Sequence, residues 1–329
     1  MENLTAQKFS QYSQKYANSA KLDNKGEMQI INTQQAQEIR LFKTLRTRSF
    51  FGLVNVVKTT QAQGQAIGLD LPMPSITDTD TKGREPVAGF IKPPHVFQCQ
   101  QVNFDSFVSY GKLDALQNYL DVDFDEELNF YLDKNLISGL LMLAFNGKNR
   151  NQTGNSAPEL NSLAEDVKKG WLQLIRENAA NNVINGAEIG EGKAYKNLNA
   201  LIKAALDKIP QPHRAHSDLI AICGRNVLAD YPVSLGYMDL GTRRVEEVIV
   251  ADKLIGGVRA IIAPYFPENS ILITRLDNLS LFIQSGTIRH FLENTPAFDR
   301  FEHYQSLALD FVVEDYQACA LIDNINAEG

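Results

Sequence analysis

Histidine, cysteine and tryptophan are scarce in this chain, which has 5, 3 and 1 of them among 329 residues. The three cysteines are far apart and lack CxxC spacing, so they predict neither a disulfide framework nor a zinc site. No apolar run approaches the ~20 residues that span a bilayer. The N-terminus also lacks the apolar stretch of a secretory signal. These absences favour a soluble, cytosolic protein without a metal centre and without a membrane as a partner.

Motifs for phosphate binding and nucleophilic catalysis are missing as well. No GxGxxG, GxxxxGK[ST] or GxSxG pattern occurs. The segment DTDTKG begins like a calcium loop, but Lys82 stands at its fifth position and Gly89 at its twelfth, where a glutamate is needed. His213 and His216 have no third ligand nearby and are expected in a solvated turn. Cys223 ends an apolar run and is expected to be a buried strand residue. We therefore predict no catalytic residues and no cofactor.

Charge is distributed unevenly along the chain. Residues 1–48 hold 8 Lys or Arg against 4 Asp or Glu, and the remainder holds 24 against 35. An acidic body repels nucleic acid, because duplex binding depends on clustered basic residues that neutralise phosphates. The basic, polar front predicts a segment with a separate role.

Helical and strand-like segments alternate without a regular order. Apolar spacing predicts a long helix from Asp125 to Phe145, and acidic residues at its start complement the helix dipole. Further helices are predicted from Ser156 to about Glu177 and from Asn197 to Ile209. Short apolar runs after His216 predict strands, and Ser306 to Glu314 alternates with period two. This mixture predicts an α+β fold.

The N-terminal region contains two amphipathic stripes separated by a polar linker. Phe9, Tyr12 and Tyr16 form the first stripe, which has helical spacing. Ile39, Phe42 and Leu45 form the second. Two interpretations stay open here: a solvated, partly disordered N-terminus, or an arm that docks on a partner.

A long polar loop interrupts the strand-like region that begins at Ser49. The loop PMPSITDTDTKGREP has turn-forming and charged residues but no apolar anchor, and the next extended stretch runs from Val87 to about Tyr110. Long loops without their own secondary structure are uncommon in compact domains and are often functional. This loop is therefore a candidate partner contact.

Several blocks of sequence resemble the major capsid proteins of temperate tailed phages of the peduovirus group. The resemblance runs from about Phe50 almost to the C-terminus. It is carried by CQQVNFDSFVSYGKLDAL from Cys99, FNG from Phe145, DVKKGWLQLIREN from Asp166, GRNVLAD from Gly224, PYFPENSILITRLDNLSLF from Pro264 and DRFEHYQSLALDFVVEDYQACALI from Asp299.

The resemblance implies the capsid fold shared by tailed phages and herpesviruses, and it implies a role for each segment. Residues 1–30 would be a scaffold-like segment removed on maturation, 31–64 the N-terminal arm, 65–100 an extended β-loop, 101–199 the peripheral domain with the spine helix, 200–293 the axial domain, and 294–329 the strand that returns to the peripheral domain together with the C-terminus.

The resemblance also implies function and partners. The chain would self-assemble as pentamers and hexamers into an icosahedral head around double-stranded DNA, which it would contact only non-specifically. Other partners would be an internal scaffold with its maturation protease and a portal protein at one vertex. Assembly would take place in the host cytoplasm, and the product would be the virion capsid.

Three groups of residues become candidate sites in this interpretation. Proteolytic maturation is expected in the linker at Met28, Gln29, Ile30 and Ile31. The first aromatic stripe is expected to contact the scaffold or a neighbouring arm. Inter-subunit contacts of the β-loop are expected at Asp78, Asp80, Lys82 and Arg84. A cellular nanocompartment shell of the same fold and a cytosolic α+β enzyme are the alternatives.

Overall fold

The α+β prediction is confirmed by a computed structural model of the chain, in which helices and strands are mixed without βαβ alternation. The structure describes residues 3–18, 31–32, 35–66, 68, 75–86, 95–118, 123–151, 163–215, 217–229, 233–235, 248–251 and 254–327. Its helices are α1 (Asn3–Asn18), α2 (Gln35–Arg48), α3 (Tyr110–Asn118), α4 (Phe124–Asn146), α5 (Trp171–Asn178), α6 (Leu198–Leu206) and α7 (Gln211–Arg214).

The strands form two large sheets and two small ones. In chain order they are β1 (Ile31–Asn32), β2 (Asn55–Thr59), β3 (Gln63–Ala66), β4 (His95–Gln98), β5 (Gln100–Asn103), β6 (Ser106–Ser109), β7 (Val183–Asn185), β8 (Glu188–Ile189), β9 (Ile220–Cys223), β10 (Val233–Leu235), β11 (Ile249–Ala251), β12 (Arg259–Ile262), β13 (Ile271–Thr274), β14 (Leu279–Gln284), β15 (Arg289–Thr295), β16 (Arg300–Val313), β17 (Cys319–Asp323) and β18 (Asn326–Ala327).

Strand β16 organises the first large sheet, whose main order is β1-β15-β16-β14-β2. The N-terminal half of β16 lies between β15 and β6, and its C-terminal half lies between β14 and β5. All four of these pairings are antiparallel, whereas β2 joins β14 in parallel. The strand predicted at Ser306 to Glu314 is therefore confirmed, and it begins earlier, at Arg300.

The second large sheet has the order β10-β11-β12-β9-β13-β17-β7. All residues of β9, β13 and β17 are buried, which explains why these strands appear in the sequence as continuous apolar runs. Cys223 ends β9 and is fully buried, as predicted. The sheets do not follow the expected segment boundaries: β14 lies within residues 200–293 but belongs to the first sheet, and β17 lies within 294–329 but belongs to the second.

The long helix α4 matches the predicted span to within one residue at each end. The Asp123 carboxylate accepts hydrogen bonds from the backbone N–H groups of Asp125 and Glu126, so it caps the N-terminus of the helix. Three acidic residues in the first turn also complement the helix dipole. At the other end, a Cβ on Gly147 would lie 1.9 Å from the Lys168 carbonyl oxygen. The helix therefore ends where another segment crosses it too closely for any side chain.

Of the helix predicted from Ser156 to about Glu177, the described part is helical from Trp171 to Asn178. The described residues 163–170 form turns and irregular structure, whereas Ser156 and Glu159 lie outside the described residues. Gly170 ends this irregular stretch, and a Cβ there would lie 2.2 Å from the Leu143 carbonyl oxygen. Trp171 is fully buried and donates to the Ser280 carbonyl oxygen at 3.0 Å. Contact with α4 and β14 therefore fixes where α5 begins.

Two smaller predictions also need correction. The strand-like region after Ser49 starts with a short 3₁₀ helix, Phe50–Gly52, because the Ser49 hydroxyl accepts from the Phe51 N–H and caps it. His213 is not in a solvated turn but is buried on α7, where its Nδ1 lies 3.5 Å from an Asp315 carboxylate oxygen. His216 lies outside the described residues. The other predicted helix, Asn197 to Ile209, is confirmed as α6 with Asn197 as its cap.

Candidate assembly surfaces

The loop between β3 and β4 is exposed along residues 75–86, except for the half-buried Thr77. Asp78, Asp80, Lys82 and Arg84 all lie in this stretch with exposed side chains. Ile76 has a relative exposure of 101%, the highest among the exposed large apolar residues. A single exposed apolar residue is ordinary on a protein surface, so the feature that stands out is the exposure of nearly the whole loop.

Local contacts give this loop its shape. The Asp78 carboxylate accepts from the Asp80 N–H and from the Thr81 hydroxyl, both at 3.1 Å. Lys82 forms an exposed ion pair with Glu85 at 2.9 Å. Arg84 has no ion-pair partner among the described residues, so its guanidinium is presented to solvent.

Strand β4, which follows the loop, is anchored at its far end by a buried ion pair that the sequence did not reveal. Nζ of Lys168 lies 2.8 Å from Oδ1 of Asp310, and both side chains are largely buried. Lys168 also donates to the Gln98 carbonyl oxygen at 3.0 Å, and the Gln98 N–H donates to Asp310 at 2.6 Å. Phe97 stacks on Phe282 with ring centroids 4.6 Å apart. Strand β4 is thus held by buried contacts, whereas residues 75–86 of the loop are exposed.

The N-terminal helix α1 docks on its own chain. Phe9 and Tyr12 are buried, and the Phe9 ring centroid lies 3.7 Å from that of Phe301. The Tyr12 hydroxyl donates to Oδ1 of Asn129 at 3.0 Å. The side chain of Tyr16 lies outside the described residues. These contacts fill an apolar groove, called here the α1 groove, which is lined by Val108, Leu113, Phe124, Leu128, Leu292 and Phe301.

The expected maturation region lies at the boundary of the described structure. Met28, Gln29 and Ile30 lie outside the described residues, whereas Ile31 begins β1 and pairs with His290 of β15. A cut within this region would therefore separate α1 from the strand that joins the first sheet.

Helix α2 is tied to the first sheet by a buried carboxylate. Glu38 accepts from Lys58 Nζ at 2.6 Å, from the Ser285 hydroxyl at 3.0 Å and from the Gly286 N–H. Burial raises the pKa of Glu38, but the hydrogen bonds outweigh that effect and lower it overall. Arg40 of the same helix pairs with Asp133 of α4 at 3.2 Å. Helix α2, which follows β1, is therefore held against the first sheet and against α4.

The side chains of His290 and His303 lie next to each other beside α2. Nδ1 of His290 lies 3.4 Å from Nε2 of His303, at a small cavity of about 40 Å³ that Arg40, Asp133 and Gln305 also line. Burial lowers the pKa of His290 to about 3, with further contributions from His303 and Arg40. Burial and Arg40 lower the pKa of His303 to about 4. Both rings are therefore neutral at pH 7.

Neither a metal site nor a membrane-spanning helix occurs among the described residues. No group of three or more His, Cys, Asp or Glu side chains there could hold a metal ion. No helix there is both long and apolar enough to cross a bilayer. Burial raises the pKa of the Cys223 thiol to about 12 and that of Cys99 to about 11, so these thiols stay protonated at neutral pH.

A sequence model described as "Phage major capsid protein, P2 family" matches residues 8–325. The chain therefore belongs to the P2 family of phage major capsid proteins.

Individual relatives agree with this assignment. The chain is 30% identical to the "Capsid proteins" of Escherichia phage P2, over 99% of this chain and 95% of that protein. It is 28% identical to the "Major capsid protein" of Serratia phage KSP20, over 99% and 97%. Among solved structures, it matches a chain of the "Satellite phage P4 procapsid including size determination (Sid) protein" with a TM-score of 0.74 and 29% identity, over 100% of this chain and 99% of that chain.

A more distant structure supports the fold. The capsid of an empty GTA particle aligns with a TM-score of 0.50 and 14% identity, over 84% of this chain and 89% of that chain. The tailed-phage capsid fold implied by the sequence resemblance is therefore confirmed.

Proposed function

We propose that this major capsid protein assembles as pentamers and hexamers into an icosahedral phage head that encloses double-stranded DNA. The observation that carries the proposal is the loop at residues 75–86, whose flanking strands β3 and β4 are anchored on the chain while nearly all of its side chains are exposed. Such a loop gains its packing from another subunit. Repeated heterologous contacts close into rings, and several modest contacts per subunit together hold a shell.

The segment roles are proposed on the same basis. Helix α4 is the spine helix, and the first large sheet with α4 is the centre of the peripheral domain. The second large sheet is the centre of the axial domain. In this assignment β14 and β15 join the peripheral domain, and β7 and β17 join the axial domain, because strands share the rigid body of the sheet with which they pair.

The loop is proposed to lie over a neighbouring subunit, with Asp78, Asp80, Lys82 and Arg84 setting the register of that contact. Charges at an interface contribute more to partner choice and alignment than to the stability of each partner alone. The acidic body of the chain, in turn, supports only non-specific contact with packaged DNA.

Residues 1–30 are proposed to be removed by a maturation protease that cuts at Met28, Gln29, Ile30 or Ile31. The sequence around these residues is polar, and the cut would precede β1. The first stripe is proposed to contact the internal scaffold. Because Phe9 and Tyr12 are buried on their own chain, α1 must leave its groove for these two rings to reach another protein. A portal protein at one vertex and assembly in the host cytoplasm complete the proposal.

The test is to co-express the full chain with the scaffold and protease of the same phage, and to examine the product by electron microscopy and mass spectrometry. Closed icosahedral shells with a subunit trimmed at residues 28–31 are expected. Closed shells with untrimmed subunits would contradict the processing proposal alone. A monodisperse monomer, with the partner shown to be active, would contradict the capsid function and favour the enzyme alternative.

A further inference from the structure

The α1 groove has the features of a helix-binding site. Its walls come from β6, β15 and β16 on one side and from α3 and α4 on the other. It receives Phe9 and Tyr12, which lie three positions apart on one face of α1. Recognition of an amphipathic helix by such spaced apolar anchors is a recurrent way of binding peptides.

The ligand helix depends on the groove for its own order. An isolated helix of 16 residues is marginal in water, because nucleation is unfavourable and few residues follow it. No acidic residue stands in the first turn of α1 to complement the helix dipole. Burial of two aromatic side chains is therefore the main source of its stability, and the free segment would lose most of its helical order.

The covalent link keeps the groove occupied. A segment joined to its site by a short chain has an effective concentration in the millimolar range, whereas a free peptide is present only at the bulk protein concentration. Cutting the chain between α1 and β1 removes that advantage without changing a single contact. A weak site is then filled before the cut and mostly empty after it.

We propose that the α1 groove is a helix-binding site for residues 3–18 of this chain, occupied in the precursor and opened by proteolysis. The inference rests on the proposed processing at residues 28–31. The groove is inferred to recognise an amphipathic helix that carries Phe and Tyr three residues apart, with the Tyr hydroxyl reaching Asn129. Opening it uncovers the apolar residues that line it, so the trimmed subunit gains a binding surface that the precursor lacks.

The experiment uses the full chain with a site for a sequence-specific protease inserted after Asn24, within the polar linker. After folding, the chain is cut, and the retention of the N-terminal peptide is measured by native mass spectrometry across a dilution series. Binding of a hydrophobic dye reports exposure of the groove in the same samples. We expect the peptide to be retained at high concentration and released on dilution, with a rise in dye fluorescence.

Variants distinguish specific binding of the peptide in the groove from nonspecific association of the peptide with the protein. Phe9→Ser removes a buried anchor and should lower the affinity of the peptide at least about tenfold. Leu4→Ser is the matched control, because Leu4 is exposed on the same helix, and it should leave retention unchanged. Asn129→Ala removes the partner of Tyr12 from the groove itself and should weaken retention about threefold to tenfold.

The inference is overturned if the peptide leaves at every concentration, if it stays bound across the whole dilution series without a rise in dye fluorescence, if Phe9→Ser is retained like the parent, or if Leu4→Ser is released as readily as Phe9→Ser. None of these results depends on the natural cleavage site. Mass spectrometry of the naturally assembled subunit tests that site separately, so the two proposals fail in distinguishable ways.

Discussion

Ionisable side chains are buried at two places along β16, and each ties a distant part of the chain to that strand. Lys168 and Asp310 hold strand β4, which follows the exposed loop, and His290 and His303 lie beside the arm helix α2. The sequence analysis identified neither pair, because partners separated by 142 positions, or joined across a hairpin, leave no local pattern. The register of β15 and β16 brings the histidines together, and the passage of residues 163–170 beside β4 and β16 brings Lys168 to Asp310.

The Lys168–Asp310 pair gives the first prediction. Lys168→Met leaves the Asp310 carboxylate buried without its cation, so the free energy of unfolding should fall by about 3–5 kcal/mol. The control is Lys148→Met, which breaks an exposed ion pair with Glu165 and should change the unfolding free energy by no more than about 1 kcal/mol. Urea unfolding of the unassembled chain measures both. Equal small losses would contradict the structural role given to the buried pair.

The histidine pair gives a prediction of pH dependence. An unfolded histidine has a pKa near 6.5, whereas burial lowers the folded values to about 3 and about 4. Below pH 6.5 the unfolded chain therefore binds more protons than the folded chain, and stability should fall as the pH drops towards 4. Arg40 faces the pair from α2 and Asp133 from α4, and the carboxylate only partly offsets the added charge.

His303→Gln isolates the contribution of one ring. Between pH 6.5 and 4.5 this variant should lose stability less steeply than the parent, as followed by urea midpoints at several pH values. Carboxylates elsewhere titrate alike in both proteins, so the difference in slope belongs to the histidine. Parallel slopes would show that His303 is not buried in its neutral form.

Among the helices and strands, those that depend on local interactions were predicted correctly from the sequence. Helix α4 follows from its apolar spacing and acidic start, and β9, β13 and β17 follow from their apolar runs. Of the helix expected from Ser156 to about Glu177, Trp171–Asn178 is helical, whereas close crossings at Gly147 and Gly170 impose irregular backbone on residues 163–170. The α1 groove could not be predicted from the sequence either, because its six lining residues come from five separate elements.

The exposed loop gives a prediction at this scale. Arg84→Glu reverses a solvent-facing charge that makes no ion pair within the described part of the chain. Shell assembly should be impaired, because a reversed charge opposes the neighbouring subunit, whereas the melting temperature of the unassembled chain should hardly change. Arg84→Lys keeps the charge and should assemble nearly like the parent. Sedimentation of assembled shells and thermal unfolding of the subunit supply the two readouts, and equal damage to both would indicate an intramolecular role.

The whole molecule has a body and two attachments, which are the exposed loop and helix α1. The body is a pair of sheets held by α4 and α5, the loop is bare at residues 75–86, and α1 lies in its groove ahead of the proposed cut. In the proposed function, the two sheets keep their shape while the loop and α1 make the contacts that change between assembly and maturation. Both attachments carry the residues through which neighbours and scaffold would be recognised.

The aromatic stripe of α1 gives the last prediction, which concerns assembly as a whole. Replacing Phe9, Tyr12 and Tyr16 together by Ser removes the rings that either fill the groove or reach the scaffold. Procapsid yield should fall, or shell size should become heterogeneous, because α1 can then serve neither contact. Leu4→Ser is the control and should assemble normally, since that side chain is exposed on α1. Electron microscopy of shells co-expressed with scaffold measures yield and diameter, and thermal unfolding verifies that the triple variant is folded. Unchanged yield and size in a folded triple variant would mean that α1 takes no part in assembly, whatever it does in its groove.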